Sequence, residues 1–165
     1  MEKLKLYRVD INYIKYLYKF DKRVQYNPNS DDSYTKRRPY LGIVLKENDL
    51  NYFVPLEHPR IEHIKMKENT YIFKIHNGKY GILGINNMLP IPNEAIIKFD
   101  INQENEKYKQ ILISQFRFCN KYKNEIYEKV NKTYVERIKG KNKFLIQICW
   151  DFKLLEQKCR EYIKI

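Results

Sequence analysis

An α+β fold, with an antiparallel sheet first and helices mostly after it, follows from three features of this 165-residue chain. Short alternating apolar runs, separated by turn-forming residues, fill the chain up to Ile101. From Glu104 the apolar period becomes that of a helix. No internal repeat and no linker interrupts the sequence, so residues 1–165 read as a single domain.

The elements follow in order. "KLYRV", Lys5 to Val9, alternates and reads as the first strand. Asp10 is placed to cap a short helix, "INYIKYLYKF", with Ile11, Ile14, Leu17 and Tyr18 on one face. Residues 21–39 include "NPNSDDSYTKRRP", whose Asn, Ser, Asp and Pro predict a loop. At about 19 residues it is longer than most structural connections, which favours a functional role. "YLGIVLKEN" and "LNYFVPLEH" form a hairpin across Glu47-Asn48-Asp49. Pro55 and Pro59 are expected to end regular pairing, leaving His58 at a strand exit.

"TYIFKIHNGKYGILGI" predicts a second hairpin turning at Asn77-Gly78, a dipeptide suited to a type I′ turn. "NMLPIP" reads as an irregular connection and "AIIKFDI" as a strand. Residues 104–140 are helical, with Ile111, Ile113, Phe116, Tyr122, Ile126 and Val130 on the helix faces and Gly140 as the stop. "FLIQICW" reads as a last strand, and "DFKLLEQKCREYI" as a closing helix capped by Asp151.

The composition narrows the function. Lys and Arg number 32 against 20 Asp and Glu, a formal net charge of +12. Ala95 is the only alanine while Lys, Asn, Ile and Tyr abound, the usage of an AT-rich genome. Such a genome also supplies glutamate codons, so codon bias alone does not create the cationic excess. Cations for phosphate and aromatics for bases point together to nucleic acid. Tyr7, Tyr16, Tyr40 and Tyr52 are stacking candidates; most of the 15 tyrosines must pack in or on the fold. No run of about 18 apolar residues exists to span a membrane. "MEKLKLYRVD" lacks the apolar core of a signal peptide, so the expected compartment is the cytoplasm. Cys119, Cys149 and Cys159 make no CxxC pattern and read as buried thiols.

The densest chemistry lies in "NYFVPLEHPRIEH", Asn51 to His63, which holds two of the three histidines with two carboxylates and an arginine. Imidazoles that move protons, beside cations and aromatics, imply acid–base chemistry on RNA.

Several segments occur in an order that resembles a known family: "YIKYLYKFD", "YLGIVL" followed by "YFVPLEHP", "GILGINNMLPIP", "YKQILISQFRFCNKY" and "DFKLLEQKCREY". Over nearly the whole chain this is similar to the ToxN/AbiQ family, the toxins of type III toxin–antitoxin systems. The resemblance implies a metal-independent endoribonuclease, inhibited by a small RNA antitoxin that it cuts from a repeat-containing precursor. It implies cellular or phage mRNA as substrate, and closed protein–RNA assemblies. It also implies a strongly twisted antiparallel sheet flanked by helices, similar to the Kid/MazF toxins. The family's strand-exit motif commonly reads proline-leucine-threonine-serine-proline-lysine, its serine and lysine being implicated in catalysis. Here "PLEHPR" puts Glu57 and His58 at the threonine and serine positions and Arg60 at the lysine position. Tyr34 matches the family tyrosine of the preceding loop.

RNA is cut without metal when a base takes the 2′-OH proton, an acid protonates the leaving 5′-oxygen and cations stabilise the phosphorane. The products are a 2′,3′-cyclic phosphate and a 5′-OH. Imidazole, with an ordinary pKa of about 6.5, suits this work better than serine. His58 is therefore assigned as general base or acid, and Arg60 as the scissile-phosphate ligand through its planar fork. Tyr34 is a proton donor or an orienting hydroxyl. Glu57 either orients an imidazole or is a solvated strand-end carboxylate. His63 is either a second proton carrier or a surface histidine, and His76 reads as structural.

No cofactor is expected. His58, Glu62 and His63 lie close in sequence, but their spacing is not HExxH and Pro59 argues against a helix aligning them, so no metal site is assigned. With five glycines there is no phosphate-binding glycine loop. Ser33 and Ser114 lie in no nucleophile-elbow context. Lys36, Arg37 and Arg38, beside Tyr34, are the first candidates to hold RNA backbone. Lys139, Lys141 and Lys143 around Gly140 form a second basic run, and Lys3 and Lys5 are further candidates. Two other readings remain: a non-catalytic RNA-binding regulator, and a DNA-binding protein, which the absence of a helix-turn-helix signature disfavours.

Overall fold

The alternating runs pair into one antiparallel sheet, and the helical segments pack against it. The computed structural model describes residues 3–29 and 31–163; the side chains of Tyr34, Thr35 and Ile163 lie outside that description. In chain order the elements are β1 (Lys5–Val9), α1 (Ile11–Tyr18), α2 (Ser33–Arg37), β2 (Tyr40–Glu47), β3 (Leu50–Glu57) and α3 (Ile61–Lys65). There follow β4 (Ile72–Lys74), β5 (Ile82–Gly84), β6 (Leu89–Pro90) and β7 (Ile96–Lys98), then α4 (Glu106–Lys121), α5 (Lys123–Lys139), α6 (Lys143–Ile148) and α7 (Phe152–Ile163). The strand order is β4-β5-β3-β2-β1-β7, with β6 pairing β3 beside β5.

The β2–β3 hairpin is the spine of the sheet. Asn48 and Asp49 have φ of 52° and 63°, as a two-residue type I′ turn requires. The register runs from Glu47↔Leu50 to Tyr40↔Pro55, with a bulge between Gly42 and Leu45. At Gly42 a Cβ would lie 2.3 Å from the Phe53 ring, so only glycine lets that ring cross the strand. Asp10 caps α1 through the Asn12 N–H, and Tyr13, Ile14 and Leu17 form its buried face. The helical run 104–140 breaks at Tyr122 into α4 and α5, and Gly140 ends α5 in the left-handed region at φ 66°.

Trp150, Tyr13, Tyr52, Phe73 and Phe152 are the largest fully buried side chains. The core also holds a carboxylate. Glu156, 1 % exposed, accepts hydrogen bonds from the Tyr52 hydroxyl at 2.5 Å and the Tyr134 hydroxyl at 2.7 Å. Burial and that carboxylate push both phenols well above their ordinary range. The three cysteines are buried and free, and burial pushes the Cys119 thiol up to about 12 and that of Cys149 up to about 11.

Several expectations need correction. "FLIQICW" gives helix α6, because the Asn142 side chain accepts the Leu145 N–H and starts a helical turn; a short apolar run does not tell strand from helix. Pro55 lies inside β3 opposite Tyr40, and pairing continues to Glu57. Part of "NMLPIP" is strand β6 against β3. The second turn falls one residue early: His76 and Asn77 carry φ of 50° and 55°, and the Gly78 N–H bonds the Ile75 carbonyl. The loop 21–39 holds the one-turn helix α2. Tyr40 and Tyr52 are buried in the core and offer no stacking surface. Tyr16 packs among Tyr13, Phe20 and Tyr162.

Candidate active site

The exit of β3 is held in place from behind. Gln115, buried on the core face of α4 with Leu112 and Cys119, donates to the Tyr80 carbonyl at 2.8 Å and the Glu57 carbonyl at 3.4 Å. Gly81, at φ 94°, approaches so closely that a Cβ would lie 2.3 Å from the Glu57 carbonyl oxygen. Gly78, at φ 88°, does the same against the His63 carbonyl oxygen. Lys74 donates to the carbonyls of Ile64 and Met66 at the end of α3. The β4–β5 turn is thus a backbone buttress under the segment Glu57–Met66.

In front of the buttress, Glu57, Arg60 and His63 form one cluster. Arg60 Nη2 lies 3.1 Å from Glu57 Oε2, and His63 Nε2 lies 3.3 Å from the same oxygen. The Arg60 backbone N–H donates to His63 Nδ1 at 3.1 Å. Arg60 Nε and Nη2 both lie 3.4 Å from His63 Nε2, so the guanidinium also meets the ring directly. His63 stands at the third position of α3, where the Glu or Gln of a capping box returns to the N-cap amide. It is neither at the surface nor accessible, its side chain being 0 % exposed. Glu57 is correspondingly not a freely solvated carboxylate, since it bridges both partners at 22 % exposure.

His58, by contrast, is exposed. It lines a pocket of about 160 Å³ with Arg37, Arg38, Pro39, Leu56 and Tyr108. Its ring meets the Tyr108 ring edge to face at 5.8 Å. α2 and the residues after it carry the two loop arginines to this pocket, and Arg38 is braced there by Gln25. Lys36 is exposed on α2 and is not among the pocket's lining residues. Tyr34 belongs to the same helix, but its side chain lies outside the described residues.

The remaining sequence candidates lie elsewhere. Lys3 and Lys5 line clefts beside β1. Lys139, Lys141 and Lys143 are exposed around the α5–α6 junction, with Lys139 3.6 Å from Glu136. His76 stacks on Tyr80 at 5.1 Å. Among the described residues no three His, Cys, Asp or Glu side chains converge to hold a metal ion.

The sequence reading missed Tyr108 and Gln115. Gln115 left a signal: a polar residue at core spacing between Leu112 and Cys119. Tyr108 left only its place three residues after Asn105, whose side chain caps α4 through the Tyr108 N–H at 2.9 Å.

The family described as toxin ToxN of type III toxin–antitoxin systems matches residues 5–160. The chain belongs to the ToxN family. Endoribonuclease ToxN of Pectobacterium atrosepticum is 32 % identical over 169 residues, which span 98 % of this chain and 95 % of that protein. Endoribonuclease ToxN of Bacillus thuringiensis subsp. kurstaki is 31 % identical, across 96 % of this chain and 84 % of that one. Endoribonuclease AbiQ of Lactococcus lactis subsp. lactis is 30 % identical, across 98 % and 90 %. Among solved structures, AbiQ, a lactococcal anti-phage endoribonuclease of the type III system, superposes with a TM-score of 0.84 at 26 % identity, over 99 % of this chain and 100 % of that one. A type III toxin selectively inhibited by a non-coding RNA pseudoknot gives 0.82 at 28 % identity, again over 99 % and 100 %. The ToxN fold accordingly covers the described sheet and all of the site above it.

Proposed function

We infer that this ToxN-family protein is the RNA-cleaving toxin of a type III toxin–antitoxin system, a metal-independent endoribonuclease held in check by a small RNA. His58 is the proton carrier at the 2′-OH or at the leaving 5′-oxygen. Arg37, Arg38 and Arg60 neutralise the phosphate that gains charge in the phosphorane. Tyr34, in the loop that brings the two arginines, supplies a hydroxyl to the reacting group. The products are a 2′,3′-cyclic phosphate and a 5′-OH. The same chemistry cuts the repeat-containing precursor of the antitoxin, which then closes the toxin into a protein–RNA assembly in the cytoplasm.

The observation that carries this reading is the pocket where exposed His58 shares a wall with Arg37 and Arg38. A proton carrier beside two cations is what metal-free phosphoryl transfer to an internal hydroxyl needs. His63 and Glu57 act as positioning residues: they hold the Arg60 backbone and its guanidinium, two residues along the chain from His58.

His58→Ala is expected to lower cleavage by about 10²–10⁴, the contribution of a removed acid or base, with RNA affinity nearly unchanged. Product ends are read by their resistance to polyadenylation until the cyclic phosphate is opened and the resulting phosphate removed to leave a free 3′-OH. A variant that still cuts at the normal rate would remove His58 from the chemistry. Normal RNA binding without any cleavage by the unsubstituted chain would favour a non-catalytic RNA-binding regulator.

A further inference from the structure

A larger cleft than the His58 pocket opens on the other side of β1. It has a volume of about 900 Å³ and lies between β1, β7 and α4. Its rim carries Lys3, Lys5, Lys98 and Arg117, all exposed. Its floor includes Tyr7, Phe99 and Phe116. No carboxylate lines it among the described residues.

The sequence pattern builds this arrangement. Lys5 and Tyr7 are two apart on β1 and so share a face. Tyr7 lies opposite Lys98 in the β1–β7 register. Lys3 Nζ sits 4.8 Å from the centre of the Phe116 ring. A second lobe, about 520 Å³, shares Lys3, Lys5 and Tyr7 and adds Lys46 and Asn131. It forms where the bulge of β2 between Gly42 and Leu45 interrupts the sheet. The two lobes make a trough with an aromatic floor and one sign of charge. By contrast, the cleft near the start of α5 mixes Lys129 and Lys132 with Glu68, Glu125 and Glu128, and its carboxylates would repel phosphate.

We propose that this trough is a second RNA subsite, in which an unpaired segment lays bases on Tyr7 and Phe116 while Lys3, Lys5, Lys98 and Arg117 hold its phosphates. The proposal rests on the reading of the protein as an RNA-cleaving toxin. Flat bases need aromatic area that is sequence-tolerant, and phosphates need cations on flexible stems; the trough supplies both. α4 connects it to the cleavage site. Tyr108 touches His58 near the helix start, and Arg117 lies nine residues further on, about 13 Å along the axis and about half a turn around it, so RNA that reaches both crosses over the helix. RNA that occupies both places is clamped on each side of the cut.

The test uses the full chain carrying His58→Ala, so that RNA stays intact, and a fluorescein-labelled ten-nucleotide oligoadenylate. Affinity is read by anisotropy at several salt concentrations. Lys5→Ala, Lys98→Ala and Arg117→Ala should each weaken binding and flatten the slope of log K against log salt by about 0.7. Tyr7→Leu should weaken binding about 5- to 150-fold at unchanged slope, and Tyr7→Phe should bind normally. The three cations are exposed, so their variants keep the fold even if Tyr7→Leu does not. Unchanged affinity and slope in all the cation variants, with the parent still binding, would overturn the trough while leaving the toxin reading intact. Equal affinity for a duplex of the same length would remove the stacking role. A concentration-dependent dimer lost in the same variants would give the cleft to a second copy of the chain. If the chain without substitutions neither binds nor cuts RNA, the toxin reading itself fails.

Discussion

His63 Nε2 lies 3.3 Å from Glu57 Oε2 while its Nδ1 accepts the Arg60 N–H at 3.1 Å. One fully buried ring therefore meets both the backbone of Arg60 and its guanidinium, whose Nε and Nη2 lie 3.4 Å from His63 Nε2, while Glu57 bridges the two side chains. The Glu57–Arg60 ion pair alone would hold little, because the Arg60 side chain is 64 % exposed and solvent screens such pairs. The ring makes it a defined geometry.

Replacing His63 should separate fold from chemistry. His63→Ala leaves a cavity and an unsatisfied amide, a cost of about 2–4 kcal/mol. In His63→Asn the side-chain oxygen takes the place of Nδ1, so the Arg60 amide is satisfied again. Stability should largely return, but the Glu57 contact is lost and single-turnover cleavage should stay reduced. Denaturation midpoints and cleavage rates on both variants check this. Full activity in His63→Asn would show that the Glu57–His63 contact does not position Arg60.

The loop cations are expected to behave differently from the loop hydroxyl. Arg37→Ala and Arg38→Ala should weaken RNA binding and flatten its salt slope by about 0.7 each, since both side chains line the His58 pocket. Lys36→Ala, exposed and outside that lining, should do less. Tyr34→Phe removes no charge, so it should keep the slope and slow cleavage. Wild-type slopes in both arginine variants would make this loop a simple connection and turn attention to Lys139–Lys143.

Activity should persist in excess EDTA. It should vanish on RNA with a 2′-deoxy sugar at the cut, because the nucleophile is then missing. Restoration by zinc or magnesium after chelation would instead require a metal-activated water.

Asp21 gives the fold an acid limit. Burial disfavours its charge, but hydrogen bonds from Arg23 and from the Asp151 N–H outweigh that and hold its carboxyl below the usual range. Arg23 in turn donates to the Cys149 carbonyl at 3.0 Å, joining the start of the long loop to the α6–α7 junction. A folded-state pKa below the unfolded value stabilises the fold above about pH 4, and that contribution is lost as pH falls through the folded pKa. Asp21→Ala should cost about 1–3 kcal/mol at neutral pH, because the Asp151 N–H and Arg23 lose an acceptor while solvent screens the partly exposed guanidinium. The difference from wild type should shrink below about pH 4. A constant difference down to pH 2 would show that Asp21 acts through packing alone.

The elements that local chemistry specifies were legible in the sequence: β1 by alternation, α1 by the Asp10 cap, the β2–β3 hairpin by Glu47-Asn48-Asp49, and the end of α5 by Gly140. So was the segment Glu57–His63, because histidines, carboxylates and an arginine crowd a strand exit. Burial was not legible, because it depends on what a residue meets from afar. His63 and His58 are five residues apart and chemically identical, yet His63 is buried and His58 exposed, and the β4–β5 turn brings the Gly78 backbone against the His63 carbonyl. α6 could not be told from a strand, since a short apolar run fits either until its neighbours choose. The convergence of Arg37, Arg38 and Tyr108 on His58 was likewise decided in three dimensions, by the way the long loop and α4 pack against one end of β3. Sequence fixes which groups can move protons and hold phosphate; packing between distant segments decides which of them face solvent and which are held beneath.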